Sequence, residues 1–258
     1  MIPLSPAALV AALNALPPDA VWAMMVAAAF GGVLAMLAAF GRAGLFVFVA
    51  VAVIAANLQV LKVVPFSVLP GPVAEGTVVF AATYLATDIL AEHYGPAAAR
   101  QAVWLGFAAH LMMTVLMILA LGYRPLTPGE AGEGLAWALP VHGHLAALFT
   151  PAPALFVAGM TSYLASQLID IRLFTAIGAA TGGRALWLRN TASTAISALI
   201  DSALFSTLAF VVFAAHPVPW DVLIRTYILG TWVVRVGLAV LDTPAMYLAG
   251  SLVPERRR

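Results

Sequence analysis

Ser162-Tyr163-Leu164-Ala165-Ser166-Gln167-Leu168-Ile169-Asp170 opens a stretch that runs to Phe205 and says one phrase twice. Ser166-Gln167-Leu168-Ile169-Asp170 leads to Leu173-Phe174; Ser197-Ala198-Leu199-Ile200-Asp201 leads to Leu204-Phe205. Each copy lies inside a long apolar run. As a membrane helix, each run would carry a carboxylate into hydrocarbon, at roughly 2.5–3.5 kcal/mol unless the acid is paired or wetted. The repeated phrase therefore predicts helices packed with their acid-bearing faces inward.

Composition agrees. The chain has 258 residues, 63% hydrophobic and 9% charged, with a mean hydropathy of +1.01. A soluble domain carries about 25% charged residues, so this chain lacks the charge to cover a water-facing surface. The reading is an all-α, polytopic transmembrane helix bundle. A formal net charge of +1 without a basic run gives no reason to expect a nucleic-acid partner. The absence of cysteine excludes disulfides, thiolate metal sites and cysteine nucleophiles. Met1 to Ala20 carries no Lys or Arg, so it lacks the basic start of a cleaved signal and is expected in the mature protein.

About 20 apolar residues cross the hydrocarbon core, which gives seven spans. They cover about 20–40, 45–64, 75–93, 100–123, 153–177, 187–214 and 222–250. Six would remain if the first does not cross. Asp19, after Pro17-Pro18, is expected to cap the first helix. Ala27, Gly31, Ala35 and Ala39 recur at four-residue steps, a stripe that lets another helix approach closely. Intramolecular packing is the preferred reading of that stripe, with a homodimer face as the alternative. Pro65, Pro70, Gly71 and Pro72 break the chain after the second span. Residues 124–144 form a loop with a short interfacial helix near 135–139. Thr243-Pro244 predicts a kink beside Asp242.

Basic residues set orientation. Arg42, Arg100, Arg172, Arg184, Arg189 and Arg256 to Arg258 collect on one side, against Lys62, Arg124 and Arg225 on the other. This predicts an extracytoplasmic segment 1–19, one membrane domain 20–252 and a basic cytoplasmic tail 253–258. Thr83-Tyr84-Leu85-Ala86-Thr87-Asp88 echoes Ser162-Tyr163-Leu164-Ala165-Ser166-Gln167, as an internal transporter repeat would.

Helical spacing sorts the polar residues. Tyr84, Asp88 and Glu92 share a face, as do Tyr163, Gln167 and Asp170, and Asn190, Thr194, Ser197 and Asp201. Such stripes face a bundle interior or a watered cavity. Ser193, Thr194 and Ser197 also suit plain helix cross-linking. Arg235, deep in the last span, needs an acid from among Asp88, Asp170 and Asp201. Asp170 is equally read as pairing with Arg172 or Arg189. Asp242 is read as structural, Glu92 and His93 as solvated, and His110 as a core histidine. His142-Gly143-His144 reads as loop, short of the ligands a zinc site needs. No phosphate-binding loop, serine elbow or zinc-protease motif occurs, so no metal, cofactor or catalytic apparatus is expected.

Read in order, several pieces resemble one family. They are Thr87-Asp88 with Glu92 and Tyr94-Gly95, Arg100, and Trp104-Leu105-Gly106-Phe107. Then come Ser166 to Asp170 with Phe174, Leu186-Trp187-Leu188-Arg189-Asn190, Ser193-Thr194, Asp201, and Asp242-Thr243-Pro244 with Tyr247. Over about 57–252 the chain resembles the queuosine precursor transporters, first labelled putative vitamin uptake transporters. Arg235 stands where that family commonly has Lys, and the apolar extension before about Val47 is unusual for it.

The resemblance implies uptake of a 7-deazaguanine, such as 7-cyano-7-deazaguanine, across a bacterial-type inner membrane. It implies a substrate site drawn from Asn57, Tyr84, Asp88, Tyr163, Gln167, Asp170, Asn190, Ser197, Asp201, Phe205 and Arg235. A carboxylate, Asp88 or Asp201, would accept the N1–H and exocyclic amine of the base. Gln167 and Asn57 would read its acceptors, and Tyr84, Tyr163, Phe174 or Phe205 would stack on it. Two other readings stand beside this one: the substrate-binding subunit of an ATPase-driven importer, and a membrane scaffold without a ligand.

Overall fold

The computed structural model describes residues 5–66, 73–150 and 153–253. Pro70-Gly71-Pro72 and the arginines of the basic tail lie outside them. The elements are α1 (Pro6–Asn14), α2 (Pro18–Gln59), β1 (Val63–Val64), β2 (Val73–Ala74), α3 (Thr77–Tyr94) and α4 (Pro96–Leu121). There follow α5 (Pro128–Ala131), a 3-10 turn (Ala136–Ala138), α6 (Val141–Phe149), α7 (Pro153–Ala180) and α8 (Leu186–Thr207). Then come α9 (Trp220–Val222), α10 (Thr231–Leu241) and α11 (Thr243–Leu252). The bundle is all-α apart from a two-residue antiparallel ladder in which Val63 faces Ala74.

As one rod, the 42 residues of α2 would measure about 63 Å, twice the hydrocarbon thickness. Gly41 prevents that. Its φ of 57° and ψ of −136° lie where side chains are strained, and the chain turns back there. Phe48 returns to within 3.4 Å of where a Cβ on Gly32 would sit, and a Cβ on Gly44 would collide with the Met36 carbonyl oxygen. The two arms supply the first two expected spans.

Val33 and Leu37 on one arm and Leu45, Val49 and Val53 on the other are fully buried against the core. Ala27, Gly31, Ala35 and Ala39 sit two positions away, about 200° round the helix, and all four are exposed. The expectation that this stripe packs within the chain is therefore overturned.

The hub is α3, which touches α2, α4, α7, α10 and α11. Every residue from Ala81 to Leu90 is buried. Ala81, Ala82 and Ala86 keep its girth small, which lets neighbouring helices approach closely. Gly95, at φ 86°, joins it directly to Pro96, the first residue of α4.

Among the described residues, four helical runs are long and apolar enough to cross a membrane: α2, α4, Leu186–Val212 and Trp220–Leu252. Within the last two, Leu208–Val212 and Leu223–Gly230 wind as π-helix. The 222–250 span is also divided where Asp242 separates α10 from α11 and Pro244 opens the new helix.

Other expectations change. Pro17 occupies the cap position of α2 with Pro18 behind it, and Asp19 lies in the first turn instead, where an acid still favours the helix dipole. The second span ends at Gln59, ahead of the β ladder. His142, Gly143 and His144 lie on α6 rather than in a loop, and the 124–144 segment holds α5 as well as the 3-10 turn.

Glu130 closes α5 by a capping box with Thr127. The Arg124 guanidinium, at 2.5 Å, together with the Thr127 hydroxyl and amide, holds its carboxyl down at about 2. The support this gives the turn is complete above the ordinary carboxylate range and is lost as pH falls toward about 2.

Gly44→Val should block the α2 hairpin by forcing a side chain into the Met36 carbonyl. The expected readout is a lower midpoint of thermal unfolding in detergent, whereas Gly31→Ala, on the open face, should leave it within a degree or two. Equal midpoints for all three proteins would refute the hairpin contact.

Candidate functional site

The doubled phrase organises the site. Helices α7 and α8 run antiparallel, and the serine of each copy donates to the aspartate of the other. Ser166 Oγ reaches Asp201 Oδ1 at 3.0 Å, and Ser197 Oγ reaches Asp170 Oδ1 at 2.7 Å. A local two-fold axis between Leu168 and Leu199 would produce this exchange. It explains the four-residue spacing, which places Ser and Asp on one helical face in both copies.

Around Asp201 the charge is compensated. Arg235 of α10 donates to Asp201 Oδ2, with side chains only 13% and 11% exposed. Trp232, one turn earlier, donates to the Ala195 carbonyl of α8 at 2.7 Å and fixes where α10 presents its guanidinium. Tyr84 of α3 comes within hydrogen-bonding reach of Ser166 and faces the same pair. Of the three acids open to Arg235 from the sequence, Asp201 is its partner.

Gln167 is clamped from α3. Its Nε2 donates to Thr83 Oγ1 at 2.8 Å, and its Oε1 accepts from Thr87 Oγ1 at 3.1 Å. All three side chains are fully buried. Farther along the α7–α8 contact, Asp88 of α3 and Asp170 of α7 lie within hydrogen-bonding reach of each other, both fully buried. Neither oxygen of Asp88, nor Oδ2 of Asp170, receives a donor. Asn190 donates to Asp242 Oδ1 at 2.7 Å and to the Ala239 carbonyl at 3.2 Å, closing the α10–α11 break.

Arg189 ends the column. It pairs with Glu92 at 2.6 Å and lies 5.0 Å from the centre of the Phe174 ring. The reading of Asp170 as a partner of Arg189 or Arg172, and of Glu92 as solvated, is overturned. Ser197 serves Asp170, and Arg189 is only 7% exposed and engaged by Glu92. His93 also turns inward, toward Gly250 of α11.

From Asp201 to Asn190 the column follows α8 for about 16 Å, half the hydrocarbon thickness. Beyond Asp201, Asn57 and Phe205 meet at Gly159, with Asn57 Oδ1 3.4 Å and the Phe205 ring 3.9 Å from the position of a Cβ there. Phe205 contacts Phe210, which lies 4.6 Å from Tyr227. Phe210 and Tyr227 sit on the two π-helical turns, and neither residue stood out in the sequence because π winding leaves no compositional mark. Tyr163 turns away from the column and donates to the Val103 carbonyl of α4 at 3.3 Å. His110 stacks on Phe156 of α7 at 5.3 Å.

Chemically, the column can exchange hydrogen bonds and balance charge inside the bundle. The family model described as putative vitamin uptake transporter matches residues 74–249, which hold the whole column; only Asn57 falls outside. A probable queuosine precursor transporter from Bacillus subtilis (strain 168) is 33% identical over 220 residues, covering 85% of this chain and 89% of that protein. No solved structure matches the chain significantly. A polytopic bundle with a buried polar column thus coincides with a family match over most of its length, and the chain belongs to the putative vitamin uptake transporter family, as a membrane transporter of the vitamin or precursor type.

Proposed function

We propose that this chain imports a 7-deazaguanine queuosine precursor and binds it beside the Asp201–Arg235 pair. The name of the Bacillus relative supports the substrate class. The observation that carries the site is a carboxylate and a guanidinium held side by side, nearly buried, in the second half of α8.

A guanine-like edge presents a carbonyl oxygen, then an N1–H, then an amine. Arg235 suits the carbonyl, as arginine suits guanine O6 elsewhere. Asp201 suits the two donors, since a carboxylate oxygen that accepts one hydrogen bond retains a second lone pair. Tyr84 lies against the pair, and Phe205 supplies an aromatic face one turn farther along α8. Gln167 follows Ser166, the donor to Asp201, and Asn57 lies beside Phe205 at Gly159. The excess of basic residues on one side of seven spans supports a cytoplasmic C-terminus, with the Phe205–Phe210–Tyr227 cluster toward the outside.

One observation favours a second reading. The exposed stripe of Ala27, Gly31, Ala35 and Ala39 is a face on which a partner helix could seat. A binding subunit docked on a separate ATPase would use such a face.

Purified chain alone in liposomes should accumulate labelled 7-cyano-7-deazaguanine without ATP. Uptake that requires an added ATPase would favour the second reading, and no binding of any 7-deazaguanine would end the first.

Asp201→Asn should lower precursor affinity about ten- to a hundredfold, the loss of one charge-assisted hydrogen bond of roughly 1.5–3 kcal/mol. It also strands Arg235, and leaving one member of a buried pair costs about 3–5 kcal/mol. The double variant Asp201→Asn/Arg235→Gln should therefore recover thermal stability without recovering affinity. Recovery of both by the double variant would show that the pair is only a brace.

A further inference from the structure

The geometry points to a proton-carrying site, separate from the precursor site and built from Asp88 of α3 and Asp170 of α7. This inference rests on the import reading above and adds the ion that drives it.

The donor inventory is the first ground. Asp88 Oδ1, Asp88 Oδ2 and Asp170 Oδ2 are buried without a hydrogen-bond donor, and so is Asn190 Oδ1 nearby on α8. Asp170 Oδ1 accepts from Ser197, and the hydroxyls of Ser193 and Thr194 lie near the same carboxyl. Two carboxylates within hydrogen-bonding reach cannot bond to each other unless one of them holds a hydrogen. Two like charges in a dry contact cannot both persist. A single proton shared by the pair removes the repulsion and supplies the missing donor. It also needs no cavity, which suits two side chains with no exposed surface.

The surrounding charges are the second ground. On α3, Tyr84 lies one turn from Asp88 on one side and Glu92 one turn on the other. Glu92 is engaged by Arg189, and Tyr84 by Ser166. From α8, Arg189 lies close enough to act on Asp88 electrostatically, while its contact is with Glu92. From the α10–α11 junction comes Asp242, another acid, held by Asn190. From α11, Gly250 faces His93. Arg42 of α2 and Arg100 of α4 are exposed, and His110 of α4 is stacked on Phe156. Among the described residues, therefore, no cation contacts the Asp88–Asp170 pair.

Position is the third ground. Ser197 bonds to Asp170, and Asp201 stands one helical turn from Ser197, about 6 Å along α8. The reciprocal phrase ties the two ends together: Ser166 and Asp170 on one helix bind Asp201 and Ser197 on the other. A shift of α7 along α8 must break or remake both bonds at once. Proton loss at Asp170 and a change at Asp201 are therefore mechanically linked. During import the pair would take one proton from the outer water and release it to the cytoplasm, with no covalent step.

Two measurements test this. The first needs no transport. Infrared difference spectra of the purified full chain, titrated through neutral pH, should show the carbonyl stretch of a protonated carboxylic acid. The band should disappear in both Asp88→Asn and Asp170→Asn and persist in Asp201→Asn. Its absence from the wild-type protein, or its survival in both Asp88→Asn and Asp170→Asn, overturns the proposal.

The second uses liposomes with the membrane potential clamped at zero. For one proton per precursor, an outside-acid gradient of about one pH unit should concentrate 7-cyano-7-deazaguanine about tenfold. In Asp170→Asn the ratio of uptake with and without the gradient should fall to one. Accumulation that follows an imposed sodium gradient and ignores pH overturns the proton assignment. An infrared band in the predicted places, beside wild-type liposomes that take up no precursor, would sink the import reading and keep the proton site.

Discussion

A carboxylate inside hydrocarbon must be given donors, and here the donors come from across the α7–α8 contact. Ser166 serves Asp201 and Ser197 serves Asp170. Interhelical hydrogen bonds of this kind average only about 0.6 kcal/mol each. Their effect lies less in stability than in register. Sliding α8 by one turn, about 5.4 Å, would strip both acids of their hydroxyl donors together. Each orphaned polar group would then cost several kcal/mol in lipid. The correct register is separated from its neighbours by that penalty, and α3 and α10 are placed against a pair whose alignment is already set.

The hub helix fits the same logic. Thr83 and Thr87 clamp Gln167; the Thr83 hydroxyl accepts from Gln167 and donates to its own helix, while Thr87 shares its one hydrogen between Gln167 and carbonyls of its own helix. Thr83 reaches Phe80 at 2.7 Å, and Thr87 reaches Thr83 and Tyr84 at 3.0 and 2.9 Å. Their polarity is therefore satisfied locally, and the contact with α7 adds specificity at little risk. Asp88, one position on, has no such local outlet. That difference between neighbours marks where α3 stops being scaffold.

Much of this was legible in the sequence for definite reasons. Apolar run length found an all-α bundle of membrane-length helices, and an arginine too deep to reach water announced an ion pair. The partner of Arg235 was not legible, since three acids met the same criterion and only the α8 register chooses Asp201. The Ala27–Ala39 stripe was read the wrong way because both faces of that helix are apolar. In lipid the hydrophobic pattern no longer tells inside from outside, so Val33 and Leu37 were not distinguishable from Gly31 and Ala35. Glu92 was misplaced for a related reason. Its distance from the helix end suggested water, while Arg189, buried under Phe174, pulls it inward.

The distribution of charge along the column has its own consequence. Asp201 with Arg235 closes one end and Glu92 with Arg189 closes the other, each a compensated pair. Between them lie Asp88, Asp170 and Asp242, served by hydroxyl and amide donors or by none. A path neutral at its ends and acidic in its middle repels anions by uncompensated oxygen, at a cost that a low dielectric enlarges. On the import reading it would favour a neutral molecule rich in N–H groups, which can donate where the protein lacks donors. The two arginines would limit the same preference for cations, because a positive cargo would meet a guanidinium already bound to its acid. On the import reading proposed above, selection for an uncharged, donor-bearing ring would follow from where the four formal charges of the two pairs are placed, before any detail of the ring itself is considered.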